Sequence, residues 1–267
     1  MIRIGILGSG WLGLALAKET LKNGHKVRLT TTTESKLSQL LSQGYNAKLL
    51  KLNESSVTGD PDFFEYIDTL LITIPPGIRK NIQRNYVALI DQLVKRIELH
   101  KIKKILFTSS TSVYGFQEGI ITESSKLLGY TLSSKQIITV EQRLIKNKNF
   151  ESCIVRLGGL IGPNRHPIFN LCGEKNLPNP HSPINLIHQI DAVAIILKVI
   201  ENWKGNQIFN AVTPFHPPRK EYYERMAIIK GLSPPIFKKK GIKGGIISSE
   251  KVIRKINCQF SVKNLLI

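Results

Sequence analysis

The stretch MIRIGILGSGWLGLALAKE, residues 1–19, decides the fold. Its opening, IRIGILG, is a short apolar run ending in glycine and reads as a buried strand. From Trp11 to Asn23 the apolar residues Leu12, Leu16 and Leu21 recur at helical spacing, and Gly24 closes the helix. Between strand and helix, Gly8-Ser9-Gly10-Trp11-Leu12-Gly13 spells G-x-G-x-x-G. Gly8 allows a tight turn, Gly10 has no side chain to obstruct a pyrophosphate, and Gly13 lets helix and strand pack closely. Amides at the helix start then face the phosphates. Alone the motif is weak. Directly after a strand and inside a complete strand–helix–strand unit, it is a strong sign of a dinucleotide site.

Strands and helices continue to alternate beyond it. HKVRLTTT, YNAKLLKL, IDTLLITIPP and KKILFTSS read as the second to fifth strands. ESKLSQLLSQG reads as a helix, residues 80–99 as a long helix, and a further helix lies near 132–147, before the strand SCIVRLGG. This alternation predicts an α/β protein with a doubly wound parallel sheet, a Rossmann fold, and ligands at the C-terminal ends of the strands. After Gly162-Pro163 the pattern loosens. Residues 164–186 read as irregular, 188–203 and RKEYYERMAIIKG as helices, and NQIFNAV as a short strand. The expected organisation is a nucleotide-binding domain over 1–163 and a small C-terminal lobe over 164–267, interleaved with the sheet as one extended unit.

Composition narrows the partners. With 42% hydrophobic and 21% charged residues, the 267-residue chain is expected to bury a sizeable core. No apolar run reaches the roughly 18–20 residues that span a bilayer, and no membrane partner is expected. The N-terminus mimics an export signal, with Arg3, an apolar stretch and Ala15-Leu16-Ala17. The fixed glycine spacing is better explained by a nucleotide turn, so a cytoplasmic location is expected. Cys153, Cys172 and Cys258 form no C-x-x-C pair, and the histidines have no ligand spacing, so neither a disulfide nor a metal site is expected. The net charge of +19 points either to an anionic partner or to a general richness in lysine. The one dense run, Lys238-Lys239-Lys240 with Lys243, has no interleaved aromatics of the kind single-strand binding favours. The compositional reading is preferred, and nucleic acid is not the expected partner.

The second strand ends in Thr30-Thr31-Thr32-Thr33, with no acid before Glu34. An NAD site usually carries an acid there for the ribose hydroxyls. Hydroxyls at Thr31 and Thr32 bring no repelling charge to a 2′-phosphate, so NADP(H) is favoured, with NAD(H) the alternative.

The glycine turn, TSSTSVYG at 108–115 and RLGGLIGP at 156–163 together resemble the extended short-chain dehydrogenases/reductases, the NAD(P)-dependent epimerase and dehydratase group. INLIHQIDAVAII at 184–196 and FNAVTPFHPPRKEYYERMAIIKGLSPP at 209–235 extend the resemblance over most of the chain. GSGWLG and the Pro pair after the fourth strand are most similar to a small atypical, YeeZ-like branch. The resemblance implies a small-molecule substrate, sugar-derived by analogy, and a homodimer through the helices at 80–99 and 132–147. It places Pro75, Ser109 and Gly158 beside the cofactor and Ser110 at the substrate oxygen. It also implies a Tyr and a Lys four apart on one helix face, the Tyr as acid/base and the Lys lowering its pKa. Counting back from Glu141, which resembles the acid following that dyad, puts Ser133 and Ile137 in those two positions. Tyr130 and Lys135 are five apart, about 140° off a shared face, so the usual dyad reads as lost.

Ser110, Tyr114 and Tyr130 remain the candidate catalytic residues. Each also has an ordinary reading: Ser110 as a cap of the turn after its strand, Tyr114 as core, Tyr130 as a surface residue at a helix entrance. Arg156, Asn185 and His188 face the same choice between a polar substrate cleft and structure, and Asp191 is expected to anchor a helix start. Two functions follow first, an oxidoreductase or epimerase-like enzyme, or a non-catalytic NADP(H)-binding sensor or scaffold; the third, behind them, is a basic nucleic-acid partner that also carries a Rossmann fold, with salt-dependent DNA retention as its signature.

Overall fold

The computed structural model describes residues 1–78 and 81–266. Its elements follow the alternation, in chain order: β1 (Arg3–Leu7), α1 (Trp11–Lys22), β2 (Lys26–Thr31), α2 (Glu34–Ser42), β3 (Ala47–Leu52), β4 (Val57–Gly59), β5 (Thr69–Ile72), α3 (Tyr86–Leu99), β6 (Lys104–Ser110), β7 (Ile120–Ile121), α4 (Leu132–Lys146), β8 (Glu151–Leu157), β9 (Gly159–Ile161), α5 (Ile168–Leu171), β10 (Leu186–His188), α6 (Gln189–Glu201), β11 (Gln207–Ala211), α7 (Arg219–Ile229), β12 (Ile246–Ile247) and α8 (Glu250–Ile256).

The sheet has eight strands in the order β11-β8-β6-β5-β1-β2-β3-β4. β1 pairs in parallel with β2 on one side and β5 on the other, so strand order reverses beside β1. Ligands gather at such a switch point, outside the strands' C-terminal ends. From Ile4 onward β1 is buried on both faces, as a central parallel strand with helices above and below must be. The edge strand β4 runs antiparallel to β3. Three residues long, it was too short to show in the sequence pattern.

The helix expected over 80–99 begins at Tyr86; residue 80 lies outside the described residues, and 81–85 form a turn. Asn85 sets the start, its side-chain oxygen accepting from the Ala88 amide at 3.0 Å. The irregular stretch 164–186 holds the single-turn helix α5, and the basic segment after residue 235 holds β12 and α8.

The chain forms two compact units. The first comprises 1–109, 130–155 and 196–208. The second comprises 110–129, 156–195 and 209–267, and its core gathers Ile161, Ile168, Ile184, Leu186, Tyr222, Tyr223, Met226 and Leu265. No described helix is long and apolar enough to cross a membrane.

Candidate functional site

The glycine turn after β1 has the geometry its spacing requires. Gly8 has φ of +103°, a region that side-chain-bearing residues rarely enter. Its amide donates to Thr30 Oγ1 at 2.9 Å, and the Thr73 hydroxyl donates to the Leu7 carbonyl at 2.9 Å. A Cβ on Gly13 would fall on the Gly8 carbonyl oxygen, so this glycine permits the close approach of α1 to the turn. A Cβ on Gly10 would meet nothing within 4 Å. Gly10 is also the N-cap of α1, without a side-chain cap and without an acid in the first turn. Helix geometry leaves the first-turn amides without intrahelical partners and gives that end a partial positive charge.

These features open into a cleft of about 390 Å³ lined by Leu7, Gly8, Ser9, Gly10, the four threonines Thr30 to Thr33, Lys36, Leu50, Leu52, Ile74 and Arg84. Leu50, Leu52 and Ile74 give it an apolar side. Hydroxyls, glycine backbone and two cations give it a polar side, and no carboxylate stands among the described lining residues. Such a wall suits a flat ring joined to phosphate esters.

Of the residues expected to hold a cofactor, Gly8, Ser9, Gly10, Thr31 and Thr32 line the cleft. Trp11, Leu12, Gly13 and Pro75 are not in its wall; Leu12 is buried, and Pro75 is exposed beside the lining residue Ile74. Ser109 is buried and donates its hydroxyl to the Glu141 carboxylate. In the second unit, Gly158 sits where a Cβ would press within 2.8 Å of the Asn185 carbonyl oxygen. The sequence had no signal for Arg84, which enters the wall from the turn before α3. Lys36, in the first turn of α2, could have been found from its distance past the threonines.

Helix α4 is entered through a capping box. Thr131 Oγ1 accepts from the Ser134 amide at 3.1 Å, and Ser134 Oγ accepts from the Thr131 amide at 3.0 Å. Tyr130 precedes the cap and is 62% exposed, while Ile137 and Glu141 are buried one turn apart. Lys135 is exposed and Ser133 half-buried.

The remaining candidates lie in the second unit. Ser110 Oγ accepts from the Ser112 amide at 3.1 Å, capping the short 3-10 turn at 111–114. Tyr114 is fully buried; its hydroxyl donates to Asn210 Oδ1 at 2.6 Å and accepts from Arg156 Nη1 at 2.8 Å. Burial raises the pKa of this phenol, and the neighbouring guanidinium only moderates the rise. Asn210 in turn takes Glu123 as acceptor for its amide at 2.7 Å. This wiring is that of a satisfied core network. Asn185 bonds Gly245 and Ile247 through its amide and thereby holds β12. His188 is buried, which lowers its pKa. Asp191, expected at a helix start, does stand in the first turn of α6. Its carboxylate reaches instead to the amides of Ser261 and Val262, at 2.7 and 3.2 Å.

Comparison with known proteins agrees with this geometry. The profile described as the NAD dependent epimerase/dehydratase family matches residues 5–173. The chain is 31% identical to Protein YeeZ of Escherichia coli K12 over 271 residues, covering 100% of this chain and 98% of that one. Solved structures of similar fold include a functionally unknown conserved protein from Silicibacter pomeroyi, with TM-score 0.79 and 16% identity over 99% and 95% of the two chains. Another is UDP-glucose 4-epimerase from Thermotoga maritima with UDP-glucose, at 0.79 and 15% over 98% and 94%. MoeE5 in complex with UDP-glucuronic acid and NAD gives 0.77 and 14% over 97% and 94%. With the glycine turn built as its spacing demands, the profile match and the full-length relative establish that this chain belongs to the NAD-dependent epimerase/dehydratase family.

Proposed function

We propose that the protein binds NADP(H) in the cleft above β1 and β2 and acts as an oxidoreductase or epimerase-like enzyme on a small, sugar-derived substrate. The acid-free wall of threonines with Lys36 and Arg84 carries this reading. A carboxylate that would bind ribose hydroxyls would repel a 2′-phosphate, whereas hydroxyls and cations receive one. NAD(H) fits the same cradle and is the alternative. The nicotinamide, when bound, supplies hydride transfer. The amides from Gly10 onward would hold the pyrophosphate, and Leu50 and Leu52 would flank the adenine. The UDP-sugars held by the similar structures support a sugar-derived substrate. The second unit, which holds most of residues 164–267, would select it, and a homodimer through α3 and α4 belongs to the same reading.

The chemistry is not that of the usual dyad. Ile137 puts a buried aliphatic side chain where the resemblance expects an ammonium. Tyr114 holds its proton in the core, so we assign it a structural role. Ser110 would polarise a carbonyl oxygen, and Tyr130 or water would carry the proton. Turnover of simple carbonyls is therefore expected to be slow. The same buried Ile137 favours a second reading, a non-catalytic NADP(H) sensor or scaffold.

Thermal shift with NADPH, NADP⁺, NADH and NAD⁺ separately tests the cofactor, because a ligand of the folded state raises the melting temperature by mass action. The phosphorylated pair is expected to give the larger shift; no shift with any of the four at millimolar concentration would overturn the reading. Where turnover is found, Ser110→Ala and Tyr130→Phe are each expected to reduce it.

A further inference from the structure

From Arg225 to Ser249 the chain carries six lysines and arginines and no aspartate or glutamate. Within that stretch lie the run Lys238-Lys239-Lys240 and Lys243, all exposed. The segment is not a loose loop. The Ile236 amide bonds the Glu174 carbonyl, the Leu177 amide the Ile236 carbonyl, and the Lys238 amide the Leu177 carbonyl, at 2.8, 3.0 and 2.9 Å. Further on, the Ile242 amide bonds Asn179 Oδ1, and the Gly244 amide bonds Ser182 Oγ, each at 3.0 Å. These bonds fix the backbone of the segment along residues 174–182.

Isoleucines stand among those lysines. Ile236 is 54%, Ile242 58% and Ile246 40% exposed. Strand β12 adds a second row. It pairs in parallel with β7, matching Ile246 to Ile120 and Ile247 to Ile121. Register partners point to the same face of a sheet. Ile121 and Ile247 are buried, while Ile120, 74% exposed, stands with Ile246 on the outer face. Isolated exposed isoleucines need no explanation, but Ile236, Ile242 and Ile246 stand in the same pinned segment as the lysines, and β7 adds Ile120 beside Ile246.

We propose that this surface docks the protein onto an anionic lipid bilayer. Lysines would meet the headgroups while the isoleucines enter the interface between headgroup and acyl chain, the two contributions that hold peripheral proteins. A second copy of the chain is disfavoured, because self-pairing would set one lysine cluster against another. A single-stranded nucleic acid would need stacking faces. The only aromatic side chain in the segment is Phe237, and the Arg219 guanidinium covers its ring at 5.7 Å. The expectation of no membrane partner came from hydropathy, which detects spanning segments and misses a surface assembled from separate strands and loops. The inference does not depend on the cofactor or on turnover.

Co-sedimentation of the full chain with vesicles tests it. One set is phosphatidylcholine with about a quarter phosphatidylserine, the other phosphatidylcholine alone. Binding is expected only to the anionic set. Each surface lysine contributes roughly a fivefold change in partitioning, so K238Q/K239Q/K240Q should reduce partitioning by on the order of 100-fold. Ile242→Ser leaves the charge unchanged and is expected to weaken binding about tenfold. A melting temperature within a few degrees of the wild type without ligand shows that each variant is folded. The proposal is overturned by absence of binding to anionic vesicles at low salt. It is equally overturned if Ile242→Ser binds as the wild type does, or if a single-stranded oligonucleotide displaces the protein from vesicles, either of which would reduce the surface to a general polyanion patch.

Discussion

Gly10 and Gly13 stand three residues apart in one motif, yet replacing each by alanine should fail in a different way. Gly10 has φ −75° and ψ −168°, which alanine adopts freely, and its added Cβ meets nothing within 4 Å. The loss of a favourable N-cap and the gain from a stiffer unfolded chain are each under about 1 kcal/mol and oppose one another, so the melting temperature of Gly10→Ala should stay within a few degrees of wild type. The methyl group would nevertheless occupy the ground proposed for the pyrophosphate. Losing one charge-assisted hydrogen bond there costs about 1.5–3 kcal/mol, a weakening of roughly 10- to 100-fold. At a ligand concentration 100 times the wild-type Kd, mass action stabilises the wild type by about 2.7 kcal/mol and the variant by only about 0.4–1.4 kcal/mol. For a chain of this size the ligand-induced shift should fall from about 5–10 °C to about 1–5 °C. Gly13→Ala reverses the pattern. Its Cβ meets the Gly8 carbonyl, which is backbone and cannot swing aside, so the apo protein should lose about 1–3 kcal/mol. Differential scanning fluorimetry with and without NADPH reads both quantities. Gly10→Ala with an undiminished ligand shift would refute the placement of the pyrophosphate over Gly10.

The cleft's two cations predict cofactor preference: Lys36→Ala and Arg84→Ala should each weaken NADPH about tenfold while leaving NADH within a factor of about two, and equal losses for both cofactors in titration calorimetry would remove these residues from the 2′-phosphate. In the second unit, His166 Nδ1 accepts from the Ile168 amide at 3.0 Å, so its Nε2 carries the proton and donates to the Tyr222 hydroxyl, 2.9 Å away. Burial holds the His166 pKa down at about 4, against about 6.5 unfolded. Between those values the unfolded chain binds the extra proton, so stability should rise with pH from about 4 to 6.5, by about 3 kcal/mol, and level off above. Urea unfolding midpoints that stay flat between pH 4.5 and 7 would contradict this. Asp191→Asn should cost about 2–3 kcal/mol, because it weakens the acceptor for the Ser261 and Val262 amides; limited proteolysis should then release the segment after residue 257, and resistance equal to wild type would argue against the clamp.

What could be read in the sequence was what is written locally. The glycine turn, the strand runs and the amphipathic helices depend on residues within one or two turns of each other, and apart from the later start of α3 they fall near where their periodicity puts them. The cleft's remaining wall does not have that property. Arg84 arrives from a turn that no pattern marks, and Leu50 and Leu52 come from the end of a different strand. Asp191, read as a helix anchor, and Tyr114, read as a catalytic candidate, both bond to partners far along the chain. Asp191 meets a partner 70 positions away, and Tyr114 one 96 positions away. A side chain's type indicates what it can bond, but distance along the chain hides which partner the fold brings to it. Strands β7 and β12, two residues each, exist only because they pair with one another.

The last described residues are part of a core. Leu265 is fully buried among Tyr222, Met226 and Ile161, and its carbonyl accepts from the Tyr222 hydroxyl at 2.9 Å. During synthesis, the second unit therefore lacks a piece of its interior until residue 265 has left the ribosome. Until then Tyr222 and the residues packed round it keep apolar surface open. A chaperone that holds nascent chains would meet open apolar surface in this unit, whatever the state of the glycine turn made more than two hundred residues earlier.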